Sequence, residues 1–239
     1  MKHDRKSINS LVLSLAIILG AFSAFESNAA MEPAEVVIQD VTGTASYRIA
    51  GTWQPLKKNM KLRQGAVIRT DVGSTVDLLF QSSMTALRLT PSSSLRLDKL
   101  EKAAGGEMVV TDTSLTLLTG GIAGTQHKLA PLSRFRIHVA GAVATIVGTE
   151  YFVRADGAVT VTSGTVSINY NLPGNGGSVK VPVSAGFSFN PTTGQVVATT
   201  PAYLENIVAH ISTTKQNAQV FKAGGATVVV KSEKYISPH

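Results

Sequence analysis

The sequence predicts an all-β protein with one short C-terminal helix. The β part is expected to be a layered antiparallel β-sandwich, or a jelly-roll or solenoid-like arrangement. Segments in which apolar and polar residues alternate recur through residues 36–200, and this period of two is typical of half-buried strands. Turn-forming pairs separate these segments every eight to twelve residues or so, which is typical of a sandwich or barrel.

The most regular stretch covers residues 142–170. Asp156-Gly157 separates two alternating runs and favours a tight hairpin turn. Ser163-Gly164 interrupts the chain again before a third run. The pattern predicts three consecutive antiparallel strands, a meander.

Three segments that precede this stretch in the chain also carry structural predictions. Asp77 and Arg88 occupy polar positions of alternating runs, so they are expected to face outwards and could pair across the ladder. The charged stretch 99–106 is predicted to be a surface loop, and residues 120–124 (GGIAG) are predicted to be a turn.

An amphipathic strand is predicted over residues 134–139. Its apolar side chains would face the core, and the opposite face would be positively charged. The candidate contact surface on that face consists of Arg134, Arg136 and His138.

A helix of about 12 to 18 residues is expected after Pro201, where apolar residues fall at helical spacing. It could pack on the β domain or dock on another protein. Gly224-Gly225 would end that segment, and residues 227–231 could form a last edge strand. The predicted organisation is a signal peptide at 1–29, a β domain at 30–200, and a helix and tail at 201–239.

Residues 1–29 have a basic start, an apolar stretch and a small-x-small site, as secretory signal peptides do. An uncleaved membrane anchor is the alternative. A signal peptide places the mature protein in the periplasm or outside the cell, without a membrane span and away from nucleic acid. The sequence has no cysteine, so a lipidated cysteine and disulfides are excluded.

The net charge is +7, with 44% hydrophobic and 15% charged residues. This composition is typical of a strand-rich globular protein, and the charge could favour an anionic polymer or glycan. A basic cluster around Lys57, Lys58, Lys61 and Arg63 follows Trp53. It could be an anion-binding loop or a solvated connection.

The sequence offers little catalytic chemistry, and we expect neither an enzyme nor a metal or cofactor. There is no thiol, and the histidines lack metal-ligand spacing. One alternative remains, since carboxylates distant in sequence can meet in a groove as a glycosidase pair. The candidates are Glu101, Glu107, Asp112 and Glu150.

The run IVGTEYFV at 146–153, followed by a hairpin and Ser163-Gly164, resembles the FecR domain family. The motif residues are Gly148, Thr149, Tyr151 and Gly164. Four further segments resemble the family and follow in its order: 62–70, 76–89, 115–121 and 183–189. The resemblance therefore covers roughly residues 36–200.

The chain departs from the family pattern at two places. Val147 stands where the family usually has arginine before Gly-Thr, and residues 81–83 (QSS) replace an Asp-Gly-Ser hairpin.

The resemblance implies a noncatalytic extracytoplasmic module that binds or senses through a protein partner in the cell envelope, such as a transporter or regulator. Family regulators read an outer-membrane transporter and relay its state to a sigma factor. The alternative is a structural or adhesive envelope module that contacts glycan or another surface protein.

Overall fold

The computed structural model describes residues 30–105, 108–172, 176–223 and 226–229. The described residues from Met31 onwards belong to one compact unit. The predicted signal peptide and Glu107 lie outside the described residues.

The first eleven strands in chain order are β1 (Glu32–Pro33), β2 (Val36–Thr42), β3 (Ala45–Arg48), β4 (Gln54–Pro55), β5 (Lys61–Leu62), β6 (Val67–Thr70), β7 (Thr75–Phe80), β8 (Thr85–Leu89), β9 (Ser94–Gly105), β10 (Met108–Thr119) and β11 (Gly121–Gln126). The later elements are β12 (Arg134–Val139), β13 (Ala142–Thr145), β14 (Glu150–Arg154), β15 (Val159–Ser163), β16 (Thr165–Asn171), β17 (Ser178–Ser184), β18 (Phe187–Asn190), β19 (Gln195–Ala198), helix α1 (Pro201–Gln219), β20 (Val220–Ala223) and β21 (Ala226–Val229).

These strands form two large sheets, which confirms the predicted all-β layered fold. The ten-stranded sheet has the order β17-β16-β13-β12-β10-β9-β6-β3-β4, with β1 beside β9. The nine-stranded sheet has the order β19-β18-β15-β14-β11-β8-β7-β2-β5. From β6 onwards the chain places one or two strands in one sheet and then crosses to the other, so the sandwich is wound like a solenoid. Strands β20 and β21 pair with each other in a separate hairpin.

Strand pairing is antiparallel except between β10 and β12, which are parallel. The exception follows from the way the chain winds between the sheets. The chain reverses direction at each turn or crossing, so two neighbouring strands of one sheet are antiparallel when two other strands lie between them in the chain. Only β11 lies between β10 and β12 in the chain, and this single strand leaves its two flanking strands parallel.

The predicted three-stranded meander is wrong at its second turn. Strands β14 and β15 form the expected hairpin in the nine-stranded sheet. Ser163-Gly164 then carries the chain across to the other sheet, where β16 pairs with β13. Alternation alone cannot separate these cases, because a hairpin and a crossing between sheets both leave the period of two intact.

The predicted turn at 120–124 is also wrong, because β11 is a central strand there. Its glycines make room for aromatic rings of β14. A methyl group on Gly124 would lie 2.3 Å from Cζ of Tyr151, and one on Gly121 would lie 2.7 Å from Cζ of Phe152. The glycines are therefore needed for side-chain packing rather than for a turn.

The predicted loop at 99–106 is replaced by strand over most of its length, since β9 continues to Gly105 and pairs with β10. Leu100 is buried in the core. On the outer face Lys99 lies 2.8 Å from a carboxylate oxygen of Asp112. Cross-strand charge pairing of this kind is compatible with a strand, which a count of charged residues does not reveal.

Helix α1 packs on the outer face of the nine-stranded sheet over β8, β11 and β14. Its Ile207 and Ile211 are buried against Ala123 and Phe152, in agreement with packing on the β domain. Burial, together with the positive charge of Arg88, lowers the pKa of His210 on the same helix.

Asp77 and Arg88 face outwards and form the pair considered from the sequence, but both side chains are buried. Arg88 donates two hydrogen bonds of 2.7 and 2.6 Å to the Asp77 carboxylate. The two side chains are only 10% and 3% exposed. Because the helix packs over β7 and β8, an outer-face position becomes a buried one.

We expect Gly124→Ala to destabilise the protein by about 2 to 3 kcal/mol, because the new methyl group overlaps the Tyr151 ring. Urea denaturation measures the change. Gly177→Ala is the matched control, since its methyl group would meet nothing closer than 4.0 Å. Equal effects of the two substitutions would contradict the packing role.

We expect Arg88→Met to lower the free energy of unfolding by about 3 kcal/mol, because it leaves the Asp77 carboxylate buried without its bidentate partner. The control is Arg154→Met in the exposed Arg154–Asp156 pair, where the loss should stay below about 1 kcal/mol. Thermal or urea unfolding of both variants decides the matter, and similar losses would argue against a buried ion pair.

Candidate binding surfaces

Three of the four family-motif residues, Gly148, Thr149 and Gly164, lie where successive crossings between the sheets stack on one another. Gly148 and Gly164 have φ values of +67° and +80°, which glycine adopts readily. A methyl group on Gly164 would lie 2.8 Å from Cγ2 of Thr149, and one on Gly148 would lie 3.1 Å from the Lys128 backbone. Glycine at both positions therefore allows the chain to bend sharply and to pass close to the neighbouring crossing.

Tyr151 is fully buried in the core. Its hydroxyl has no hydrogen-bond partner in the part of the chain that the structure describes, and burial raises the pKa of that phenol. The ring lies against Gly124 of the neighbouring strand. Tyr151 thus contributes a large apolar surface to the core.

The candidate contact residues lie on the outer face of the ten-stranded sheet. Arg134 is exposed, and it has no acidic partner among the described residues. Arg136 donates a 2.8 Å hydrogen bond to Asp112, and His138 lies 3.0 Å from the Ser114 hydroxyl. The expected positive face is therefore partly neutralised by the adjacent strand β10.

Two of the carboxylates considered for catalysis do come together. Glu101 and Asp112 are directly opposite on β9 and β10, and Lys99 bridges them at 3.0 and 2.8 Å. Burial acts to raise the pKa of Asp112, but hydrogen bonds from Lys99 and Arg136 outweigh it and hold the pKa below its usual value. Asp112 is therefore ionised at neutral pH and is engaged in ion pairs.

Glu150 instead forms an ion pair with Lys215 of helix α1. Among the described residues, no group of three or more histidine, aspartate or glutamate side chains could hold a metal ion.

The basic loop after Trp53 is also largely paired. Lys58 pairs with Asp40 at 3.4 Å, while Lys61 and Arg63 converge on Glu35 at 3.5 and 2.7 Å. The Arg63 hydrogen bond is the main cause that lowers the pKa of Glu35. A polar cavity of about 430 Å³ adjoins this group. Trp53 contacts two other arginines, Arg48 and Arg69.

Strand β19 forms an open edge of the nine-stranded sheet. All four of its residues are exposed. The backbone N–H of Thr199 donates to the carbonyl of Gly186, the residue that immediately precedes β18. Because bonded pairs alternate along an antiparallel ladder, the N–H and C=O groups of Val196 and Ala198 point to the free side.

The other strands at the sheet ends carry features that discourage further pairing. Strands β1, β4 and β5 have two residues each and contain proline or lysine. Strand β17 contains Lys180 and Pro182. Lysine, proline and short length all protect sheet edges, whereas β19 (QVVA) has neither residue type. The unprotected edge could have been inferred from the sequence, because residues 181–204 contain no charged side chain.

The fold and these surfaces define the class: a two-sheet, solenoid-like β-sandwich whose described residues contain no helix long and apolar enough to cross a membrane. Residues 66–167 match the model of the FecR protein family. This match over part of the chain confirms the resemblance predicted from the ordered motifs. No curated protein matches the chain.

Two solved structures of a proposed anti-sigma factor from Parabacteroides distasonis ATCC 8503, at 1.65 and 2.50 Å resolution, are similar to this chain. Each has 14% sequence identity to this chain and a TM-score of 0.41. The match covers 56% of this chain and 58% of the anti-sigma factor chain. This chain therefore matches little more than half the length of those proteins.

We expect Tyr151→Phe to leave the fold intact and to raise the free energy of unfolding by about 1 kcal/mol, because it removes a buried hydroxyl without a partner. Chemical denaturation of both proteins tests this. A loss of stability would mean that the hydroxyl has a partner. Tyr170→Phe is the control, because the Tyr170 hydroxyl donates a 2.7 Å hydrogen bond to the Pro191 carbonyl and its removal should destabilise.

Proposed function

We propose that the protein is a noncatalytic binding or sensing module of the cell envelope that acts through a protein partner. The observation that carries the proposal is the open edge of β19 on a chain whose residues 66–167 match the FecR family model. The proposal includes a location in the periplasm or outside the cell, which is supported by the signal-peptide pattern of residues 1–29.

The edge supports recognition by strand addition. An extended segment of the partner would pair with the outward backbone groups of Val196 and Ala198, and main-chain hydrogen bonds would provide the affinity. Val197 and Phe187 are 47% and 42% exposed beside this edge. These apolar side chains would contact alternate side chains of the added strand and so contribute to specificity.

A second candidate function is contact with glycan or another surface protein through the outer face of the ten-stranded sheet. One observation favours it: Arg134 lies exposed on that face without an acidic partner among the described residues. Helix α1 covers the other sheet.

Affinity capture from a cell-envelope extract tests the first proposal, with Val197→Lys as the decisive variant. Lysine on an edge strand disfavours pairing with another strand, so the variant should lose a transporter or regulator that the unaltered protein retains at moderate salt. The bound proteins are identified by mass spectrometry.

Val179→Lys is the matched control, since Val179 is 41% exposed on β17, the end strand of the other sheet. It should retain the partner. Loss of the partner in both variants, or in neither, would count against strand addition at β19. Salt-sensitive retention of anionic polymer alone would favour the second candidate.

A further inference from the structure

Two arginines converge on the only tryptophan of the chain. Cζ of Arg48 lies 4.8 Å from the centroid of the Trp53 ring, and Cζ of Arg69 lies 4.6 Å from it. Both distances are within the range of a cation–π interaction. Trp53 is half-buried, whereas both arginines are exposed, so the group is accessible from solvent.

Local backbone structure explains how the group forms. Arg48 ends β3, and Arg69 lies on the adjacent strand β6, opposite Ser46. After Arg48 the chain turns through Ala50 and Gly51, with φ values of +67° and +77°. A left-handed conformation is unfavourable for alanine, so the turn that returns Trp53 to these strands has an energetic cost.

The two guanidinium groups are not neutralised by acidic side chains. Neither Arg48 nor Arg69 has a carboxylate partner among the described residues. The neighbouring Arg96 differs, because it pairs with Asp98. Like charges on adjacent strands repel one another.

Serine hydroxyls flank Arg69 on both sides. Ser46 and Ser94 are its cross-strand partners on β3 and β9. Both are half-buried, and neither hydroxyl has a hydrogen-bond partner among the described residues. They add neutral donors next to the two cations, and donors of both kinds are typical of sites that bind phosphate or sulfate.

We propose that Arg48, Arg69 and Trp53 form a binding site for a phosphate or sulfate group. The oxyanion would accept hydrogen bonds from both guanidiniums and from the Ser46 and Ser94 hydroxyls. Trp53 would hold the two side chains in place before binding, which reduces the entropy lost on ordering them. The site lies on a different sheet from β19, so it is independent of strand addition.

The single tryptophan provides a direct measurement. Fluorescence of the purified protein is recorded during titration with sodium pyrophosphate, with sodium chloride at matched ionic strength as the reference. We expect a saturable change that chloride does not produce. Arg48→Gln and Arg69→Gln should each weaken the apparent affinity by about tenfold or more, because each removes a charge-assisted hydrogen bond.

Arg154→Gln is the control, because it removes one exposed arginine, and so the same charge, at a position outside the site. It should bind pyrophosphate as the unaltered protein does. In a second arm, vesicles that contain phosphatidylglycerol replace pyrophosphate. Phosphatidylcholine vesicles are the reference in this arm. Saturation only with the anionic vesicles, with the same dependence on Arg48 and Arg69, would identify a lipid headgroup as the source of the phosphate.

Two results would overturn the site. One is the absence of a specific response in both arms, where pyrophosphate does no more than sodium chloride and phosphatidylglycerol vesicles do no more than phosphatidylcholine vesicles. The other is an equal loss in all three arginine variants, which would indicate a diffuse electrostatic effect. Thermal unfolding of each variant provides the folding control, since all three arginines are exposed and their replacement should leave the midpoint nearly unchanged.

Discussion

The fold depends on close stacking of the crossings between its two sheets. At one end, Gly164 passes against Thr149, and Gly148 passes against Lys128. Elsewhere, a methyl group on Gly120 would lie 2.7 Å from the Ser93 backbone, and the Ser93 hydroxyl accepts a hydrogen bond from the N–H of Gly121. Side chains at these glycines would push successive turns of the solenoid apart, and the strands could no longer pair. The family motif around Gly148, Thr149 and Gly164 therefore marks positions where the chain crosses from one sheet to the other.

The outer faces of the two sheets have different physical roles. Helix α1 covers the centre of the nine-stranded sheet with Ile207 and Ile211. Beneath it the Asp77–Arg88 pair is bidentate and nearly buried, so its desolvation is offset by direct hydrogen bonds. The described part of the ten-stranded sheet has no such cover. Its charges are instead arranged in exposed ladders, such as Lys99, Asp112 and Arg136.

These ladders determine where free charge remains. Most acids of the described residues are already in ion pairs, and the excess basic charge is left on a few arginines and lysines. Arg48 and Arg69 are the pair that shares a ring. The open edge of β19 is different in kind, because it offers backbone donors and acceptors beside apolar side chains. The two surfaces thus suit different ligands: an oxyanion on the sheet face and an extended peptide at the edge.

The sequence by itself determined the β class, the hairpin at Asp156-Gly157, the start of the helix at Pro201 and the FecR resemblance. These features rest on local signals: side-chain period, turn residues and ordered motifs. Tertiary structure alone decided which turns cross between sheets, why β11 contains glycines, and that Asp77 and Arg88 are buried. It also brought Arg48 and Arg69 to Trp53, because strand register joins residues that are distant in the chain. Local patterns do not specify register or the partner of an outer face, and these depend on contacts made only when the sheets assemble.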